Sequence, residues 1–165
     1  MTILKGNKAY FPGIGQIQYE GPDSKNPLAF KWYDPNLVVM GKTMKEYLRF
    51  AIAYWHSFCA DGQDVFAINH PTQIRSWNSA SNPMDAAREK LDAAFEFITK
   101  IGAPYYCFHD TDLVGNGSVF EIEKRLAYII DEAKARQQHT GIKLLWGTAN
   151  VFSNRRYMNG AATNP

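Results

Sequence analysis

The fold prediction for this chain depends most on the segment Pro104-Tyr105-Tyr106-Cys107-Phe108-His109-Asp110-Thr111-Asp112. Its apolar run predicts a buried strand, and the run ends abruptly in an imidazole and two carboxylates. Alternation along the strand places His109 and Asp110 on opposite faces. A strand with an apolar interior and an ionisable C-terminal end is typical of an α/β barrel, in which such ends carry the chemistry. Functional residues are therefore expected at this end of the strand.

Two helices follow from capping signals on either side of the strand. The first is predicted to begin at Asn82-Pro83, because Asn is a good helix cap and Pro suits the first helical position, and to end at Gly102. The second is predicted to begin at Ser118, since Glu121 three residues later completes a capping box, and to end near Gly141.

The first helix is predicted to bury only one of its faces. Its apolar residues recur three or four apart, at Met84, Ala87, Leu91, Ala94, Phe95, Ile98 and Ile101. The opposite face carries charges that we expect to be ordinary solvated surface charge, namely Arg88, Glu89, Asp92, Glu96 and Lys100.

Two further strands complete an order of strand, helix, strand, helix, strand. Residues 48–55 fit helix or strand by periodicity, and alternation of large residues with Ala51 and Ala53 favours a strand. Residues 142–148 form the third strand, in which Leu144, Trp146 and Thr148 are predicted to share a face. This order predicts parallel strands with right-handed crossovers, hence an α/β fold.

The N-terminal residues are predicted to form an extended arm. Residues 5–41 are rich in Gly, Pro and Asn, and we assign 1–41 to the arm and 42–165 to the first βα units of one domain. Thr43 and Glu46 form a capping box for a short helix. The irregular segment between Cys59 and Pro83 is long enough to suggest a functional loop.

Composition limits the function classes. The 165 residues are 45% apolar and 21% charged, which is typical of one globular domain, and a net charge of +2 indicates neither a nucleic-acid partner nor a membrane surface. Cys59 and Cys107 lie in apolar surroundings and are predicted to be free thiols, which fits a reducing, cytoplasmic compartment. We expect neither export nor a membrane span.

Several strand ends are predicted to meet at one pocket. Trp55, His109, Trp146 and Thr148 all fall at the C-terminal face of parallel strands. A carboxylate such as that of Asp112 fixes the tautomer of His109 and makes it a usable acid or base, although a purely structural pair is the alternative.

The aromatic residues at this face suggest a ligand. The tryptophans and Phe152 can form an apolar wall for a polyhydroxylated molecule, whose hydroxyls would seek Thr148 and Asn150. The alternative is that these aromatic side chains belong to the core. Neither a phosphate-binding Gly-rich loop nor a serine nucleophile elbow is visible.

With these motifs assembled, the chain resembles xylose isomerase, in the group with the longer N-terminal region. The matching segments occur in order over nearly the whole chain: Asn26-Pro27-Leu28-Ala29-Phe30, Gly41-Lys42, Leu48–Ala51, Tyr54-Trp55-His56, Tyr106–Asp112, Leu144–Phe152 and Gly160–Pro165. The resemblance implies a partial (β/α)₈ TIM barrel, comprising the first three strands with an extended arm.

The resemblance also implies an activity. The family interconverts D-xylose and D-xylulose, and D-glucose and D-fructose, through a 1,2-hydride shift assisted by two divalent cations, normally Mg²⁺, Mn²⁺ or Co²⁺. It implies that His109 assists opening of the cyclic sugar and that Asp112 orients it. Pocket positions match Trp55, Trp146, Thr148 and Phe152, and Phe66 matches the loop aromatic that enters a neighbouring subunit's site. Homotetramers are expected.

The family's metal ligands come from later barrel strands, so we expect them beyond residue 165 and expect the isolated chain to be inactive. The abrupt end of the sequence suggests a fragment. The alternatives are an inactive truncated chain that at most binds or assembles, and another metal-dependent sugar isomerase or sugar-phosphate enzyme of the same fold.

Overall fold

The fold alternates short strands with helices. The computed structural model describes residues 4, 6, 8–63, 71–151 and 157. In chain order its elements are β1 (Val38–Val39), β2 (Lys42–Thr43), α1 (Met44–Tyr47), β3 (Ala51–Ala53), a π-helical turn (Trp55–Cys59), a 3₁₀ turn (Ser76–Ser79), α2 (Pro83–Ile101), β4 (Tyr105–His109), α3 (Asp110–Val114), α4 (Val119–Thr140) and β5 (Lys143–Thr148).

A three-stranded parallel sheet lies at the centre, in the order β3-β4-β5. Helix α2 connects β3 to β4, and α4 connects β4 to β5, so the predicted α/β order with parallel strands is confirmed. The strand predicted over 48–55 is real but shorter. It ends at Ala53 because Tyr54 adopts helical backbone angles and turns into the core.

The helix ends are those the sequence predicts. The Asn82 side chain accepts a hydrogen bond from the backbone N–H of Met84 at 2.8 Å, and Gly102 ends α2 in the left-handed conformation with φ 77°. At the start of α4, the Glu121 carboxylate accepts from the backbone N–H of Ser118 at 2.8 Å. Caps of this kind contribute roughly 1 kcal/mol each.

The core lies between the sheet and these helices. Helix α2 buries its predicted apolar stripe, with Leu91 and Phe95 at most 1% exposed, against Tyr106 of β4 and Ile129 of α4. Burial of each such side chain stabilises the fold by roughly 1.5–3 kcal/mol. None of the described helices combines the length and apolar character needed to cross a membrane. Cys59 and Cys107 are free thiols, as predicted.

The charged face of α2 is only partly solvated, and the prediction of solvated surface charge is wrong for three of its five residues. Asp92, Glu96 and Lys100 are buried, with Glu96 at 0% exposure. Tyr10 and Phe11 cover Glu96 and Lys100: the backbone N–H groups of these two residues donate to the Glu96 carboxylate at 2.8 and 3.1 Å, and Lys100 donates to the carbonyl oxygen of Phe11. Lys100 is paired as well, because its Nζ donates to the Glu96 carboxylate at 2.6 Å.

Asp92 is buried for a different reason. Arg136 of α4 donates to its carboxylate at 2.6 Å, so the second helix covers this part of α2. The C-terminal half of α2 is therefore enclosed on both sides, because its polar side chains find charged and backbone partners.

Tyr54 places a hydroxyl in the core with no hydrogen-bond partner among the described residues. Because an unpaired buried polar group costs about 1–3 kcal/mol, Tyr54→Phe is expected to stabilise the protein by about 1 kcal/mol. Tyr106→Phe is the matched control, since the Tyr106 hydroxyl accepts from Nε2 of Gln137 at 2.8 Å and its loss should destabilise. Thermal unfolding followed by circular dichroism measures both, and shifts of the same sign would contradict the assignment.

Candidate functional site

The C-terminal ends of the three strands meet at one place. His109 is the last residue of β4 and pairs in register with Thr148, the last residue of β5. Trp55 begins the π-helical turn that follows β3. The order of strands therefore brings together the residues predicted to share this face.

Three aromatic rings form the centre of the site, and we call Trp55, His109 and Trp146 the aromatic cluster. The ring of Trp55 lies 5.0 Å from that of His109 and 5.3 Å from that of Trp146, measured between centroids. The rings of His109 and Trp146 are 5.7 Å apart and nearly perpendicular, at 76°. The arrangement gives an imidazole flanked by two apolar surfaces, which suits a ligand with both C–H faces and hydroxyl groups.

A carboxylate orients the imidazole. His109 caps α3, and Oδ2 of Asp112 accepts its backbone N–H at 2.7 Å and lies 2.9 Å from its Nδ1. One buried oxygen thus fixes both the backbone and the ring of His109. Because an ionised carboxylate only accepts hydrogen bonds, the proton belongs on Nδ1, and the neutral ring has its basic nitrogen at Nε2.

A second carboxylate connects two strand ends. Oδ1 of Asp110 accepts from the backbone N–H groups of Thr111 at 2.7 Å and Asn150 at 2.8 Å. The Asn150 side chain also donates to the Thr111 hydroxyl at 3.2 Å. Asp110, the first residue of α3, is therefore a hydrogen-bond acceptor for two backbone segments. Its bonds fix the segment after β5 against the start of α3.

Strand β5 contains an irregularity next to the site. Its pairing with β4 skips Leu145, so that Leu144 and Trp146 oppose consecutive residues of β4. Consecutive residues of a strand face opposite sides. Trp146 and Thr148 keep the face of His109, but the prediction that Leu144 lies with them is wrong.

Comparison with other proteins shows what this chain is similar to. No protein-family model matches the chain. Xylose isomerase 2 of Xanthomonas campestris pv. campestris strain 8004 is 56% identical over 165 residues, which cover 99% of this chain and 36% of that protein. Xylose isomerase 1 of the same strain is also 56% identical with the same coverage. The xylose isomerase of Xanthomonas oryzae pv. oryzae strain MAFF 311018 is 55% identical over 99% of this chain and 37% of its own length.

The chain is a homologue of the N-terminal portion of xylose isomerase. It spans little more than a third of the length of these curated relatives. The family predicted from the motifs is thereby confirmed. The parallel strands and alternating helices are those of a partial (β/α)₈ barrel of xylose isomerase.

The structure brings together most of the site residues predicted for this xylose isomerase homologue. Trp55, His109, Asp112, Trp146 and Thr148 lie around one strand-end site, and their roles stay predictions. The other two predicted pocket residues, Phe66 and Phe152, lie outside the described residues.

The site does not fit the divalent cations that the family uses. Within residues 8–63 and 71–151, no group of three or more His, Cys, Asp or Glu side chains could hold a metal ion. The buried carboxylate of Asp112 is committed to His109, at 2.9 Å from Nδ1. Mg²⁺ prefers several oxygen ligands, which this pair does not supply.

Two side chains near the site were not predicted. Arg75 and Trp77 donate hydrogen bonds to backbone carbonyls of the turn that carries Trp55. Both residues come from the irregular stretch before α2, where no periodicity or capping signal indicates what a side chain contacts. The length of that loop was the only signal for a role.

Proposed function

We propose that this chain is the N-terminal part of a xylose isomerase that interconverts D-xylose and D-xylulose, and also D-glucose and D-fructose. The observation that carries the proposal is the oriented His109–Asp112 pair beside Trp55 and Trp146, in a chain that is 56% identical to xylose isomerases. Within the whole enzyme we assign this portion to sugar binding and ring opening.

The chemistry of His109 follows from its tautomer. Opening a cyclic sugar removes the proton of the anomeric hydroxyl, forms the C1 carbonyl, breaks the bond between C1 and the ring oxygen, and adds a proton to that oxygen. Nε2 of His109 can take the first proton and return it to the ring oxygen. Asp112, bonded to Nδ1 at 2.9 Å, stabilises the transient imidazolium.

Substrate binding is assigned to the surrounding side chains. Trp55 and Trp146 offer ring faces to the C–H surface of the sugar, and Phe152 is proposed to extend this wall. The Thr148 hydroxyl, in register with His109, is a hydrogen-bond partner for a sugar hydroxyl. Phe66 is proposed to enter the site of a neighbouring subunit in a homotetramer.

The hydride shift belongs to another part of the whole protein. We propose that two divalent cations, Mg²⁺ or alternatively Mn²⁺ or Co²⁺, act with ligands that follow this N-terminal portion, since the described residues do not supply a ligand set.

We also propose that residues 1–41 are an arm and 42–165 the first βα units of one barrel domain. The free thiols Cys59 and Cys107 suit a reducing, cytoplasmic compartment.

A chimera tests the proposal. Residues 1–165 of this chain replace the matched region of Xanthomonas campestris xylose isomerase 2, and D-xylulose formation from D-xylose is measured with Mg²⁺. We expect isomerisation by the chimera and none by the 165-residue chain alone. The intact Xanthomonas protein is the control. A soluble, folded chimera that isomerises neither D-xylose nor D-glucose would contradict the proposal.

A further inference from the structure

Trp55 is carried by a five-residue π-helical turn, Trp55–Cys59. Turns of this type are rare and recur at functional sites. The last carbonyl groups of a helical turn have no N–H partner inside it and need donors from elsewhere. The position of Trp55 therefore depends on what satisfies the end of this turn.

Two side chains supply these donors. Nη1 of Arg75 donates to the carbonyl oxygen of Ser57 at 2.7 Å, and Nε1 of Trp77 donates to that of Phe58 at 3.0 Å. A guanidinium stays charged at every relevant pH, and a cation near the carbonyl end of a helical turn is electrostatically favourable. The two bonds thus fix the end of the turn.

The donors are themselves held in place. Nη2 of Arg75 donates to the side chain of Gln73 at 2.7 Å, and its guanidinium lies 5.5 Å from the ring centroid of Trp77. Trp77 in turn packs against Tyr10 of the N-terminal arm, with ring centroids 6.0 Å apart. Arg75 therefore presents its donor from a restrained geometry, and little side-chain freedom remains to be lost on forming the bond.

The other side of the turn is anchored in the core. Phe58 is 2% exposed and packs against Tyr54 at a ring distance of 5.0 Å. Burial of Phe58 and the pairing of both carbonyl groups hold the turn in the observed orientation. In that orientation its first residue, Trp55, lies 5.0 Å from His109 and 5.3 Å from Trp146.

We propose that Arg75, assisted by Trp77, is a positioning residue that holds Trp55 in the aromatic cluster. The benefit to sugar binding rests on the proposed function, whereas the effect on the Trp55 ring does not. Because Arg75 acts through the turn, its loss should weaken binding of the sugar more than the chemical step.

The test uses Arg75→Met in the chimera, which removes the donors and keeps a long side chain. The chimera is labelled with 5-fluorotryptophan, and the ¹⁹F resonance of Trp55 is assigned by its loss in Trp55→Phe. We expect Arg75→Met to shift or broaden this resonance, and to raise KM for D-xylose about fivefold with kcat changed less than about twofold. Arg75→Lys can still donate to Ser57, so its Trp55 resonance and its KM for D-xylose should lie close to those of the unsubstituted chimera.

Matched variants separate positioning from general damage. Arg88→Met removes the same side chain from an outer helix face, where it pairs with Glu132 at 2.8 Å, and should leave the resonance unchanged. If Arg75→Met does not fold, Trp77→Phe takes its place in the test. It removes the hydrogen bond to Phe58 but keeps an aromatic ring, and it should cause a smaller shift of the Trp55 resonance. An unmoved Trp55 resonance overturns this inference whatever the activity. An inactive chimera with no substitution would instead overturn the proposed function.

Discussion

Replacement of His109 by alanine in the chimera is expected to lower kcat/KM for D-xylose by about 10²- to 10³-fold, the scale of one general acid–base group. The loss should appear with cyclic sugar, since Nε2 of His109 is the atom assigned to proton transfer during ring opening. Affinity for Mn²⁺, titrated by electron paramagnetic resonance, should change little, because the described residues offer no ligand set of which His109 is part. Initial rates of D-xylulose formation measure the first effect.

Two controls limit the interpretation of this result. His139→Ala removes an imidazole from the exposed last turn of α4 and should keep full activity. Asp112→Asn retains the volume of the carboxyl group but removes the charge that stabilises an imidazolium, so a smaller loss than for His109→Ala is expected. Equal losses of turnover and Mn²⁺ affinity in His109→Ala would contradict the ring-opening role.

The elements that could be predicted are those specified by adjacent residues. Asn82 and Gly102 bound α2, and Ser118 and Gly141 bound α4, because caps act within one helical turn. The strand ends could be predicted for a related reason. Once parallel strands follow one another through helices, their C-terminal ends must share an edge, which is how Trp55 and His109 meet.

The features that could not be predicted depend on contacts distant in sequence. Glu96 is buried because Tyr10 and Phe11 reach it across more than eighty residues, and a helical periodicity contains no information on such an arm. Arg75 finds Ser57 through an irregular loop whose path has no pattern. The register shift at Leu145 is likewise set by pairing with β4, since alternation within β5 alone assumes a regular strand.

Glu96→Gln is expected to destabilise the chain by about 3 kcal/mol, because it leaves the buried ammonium of Lys100 without its counter-charge. The Glu96 carboxylate is 0% exposed and accepts from Lys100 at 2.6 Å as well as from two backbone N–H groups of the arm. Urea denaturation measures the change in unfolding free energy. Hydrogen exchange at Tyr10 and Phe11 reports separately on release of the arm, which should accelerate in the variant.

The pH dependence distinguishes this buried pair from surface charge. Burial alone would raise the pKa of Glu96, but hydrogen bonds from Lys100, Tyr10 and Phe11 outweigh it and hold the pKa below its usual value. A carboxyl group whose pKa is lowered by folding stabilises the native state above its unfolded pKa, about 4.3, and this contribution is lost as pH falls through the folded pKa. The difference in stability between the unsubstituted chain and Glu96→Gln should therefore be constant near neutral pH and narrow below about pH 4.

Two further variants are compared with Glu96→Gln in their unfolding free energy. Asp131→Asn removes an exposed carboxylate that pairs with Lys134 at 3.4 Å, and should change the unfolding free energy by less than about 0.5 kcal/mol. Lys100→Met combined with Glu96→Gln removes both buried charges and should recover most of the loss, since the penalty comes from an unpaired charge and not from the absence of the pair. If the double variant is as unstable as the sum of the single variants, Glu96 and Lys100 fix the arm to α2 through separate hydrogen bonds to its backbone, and the attraction between the two charges is not what holds it.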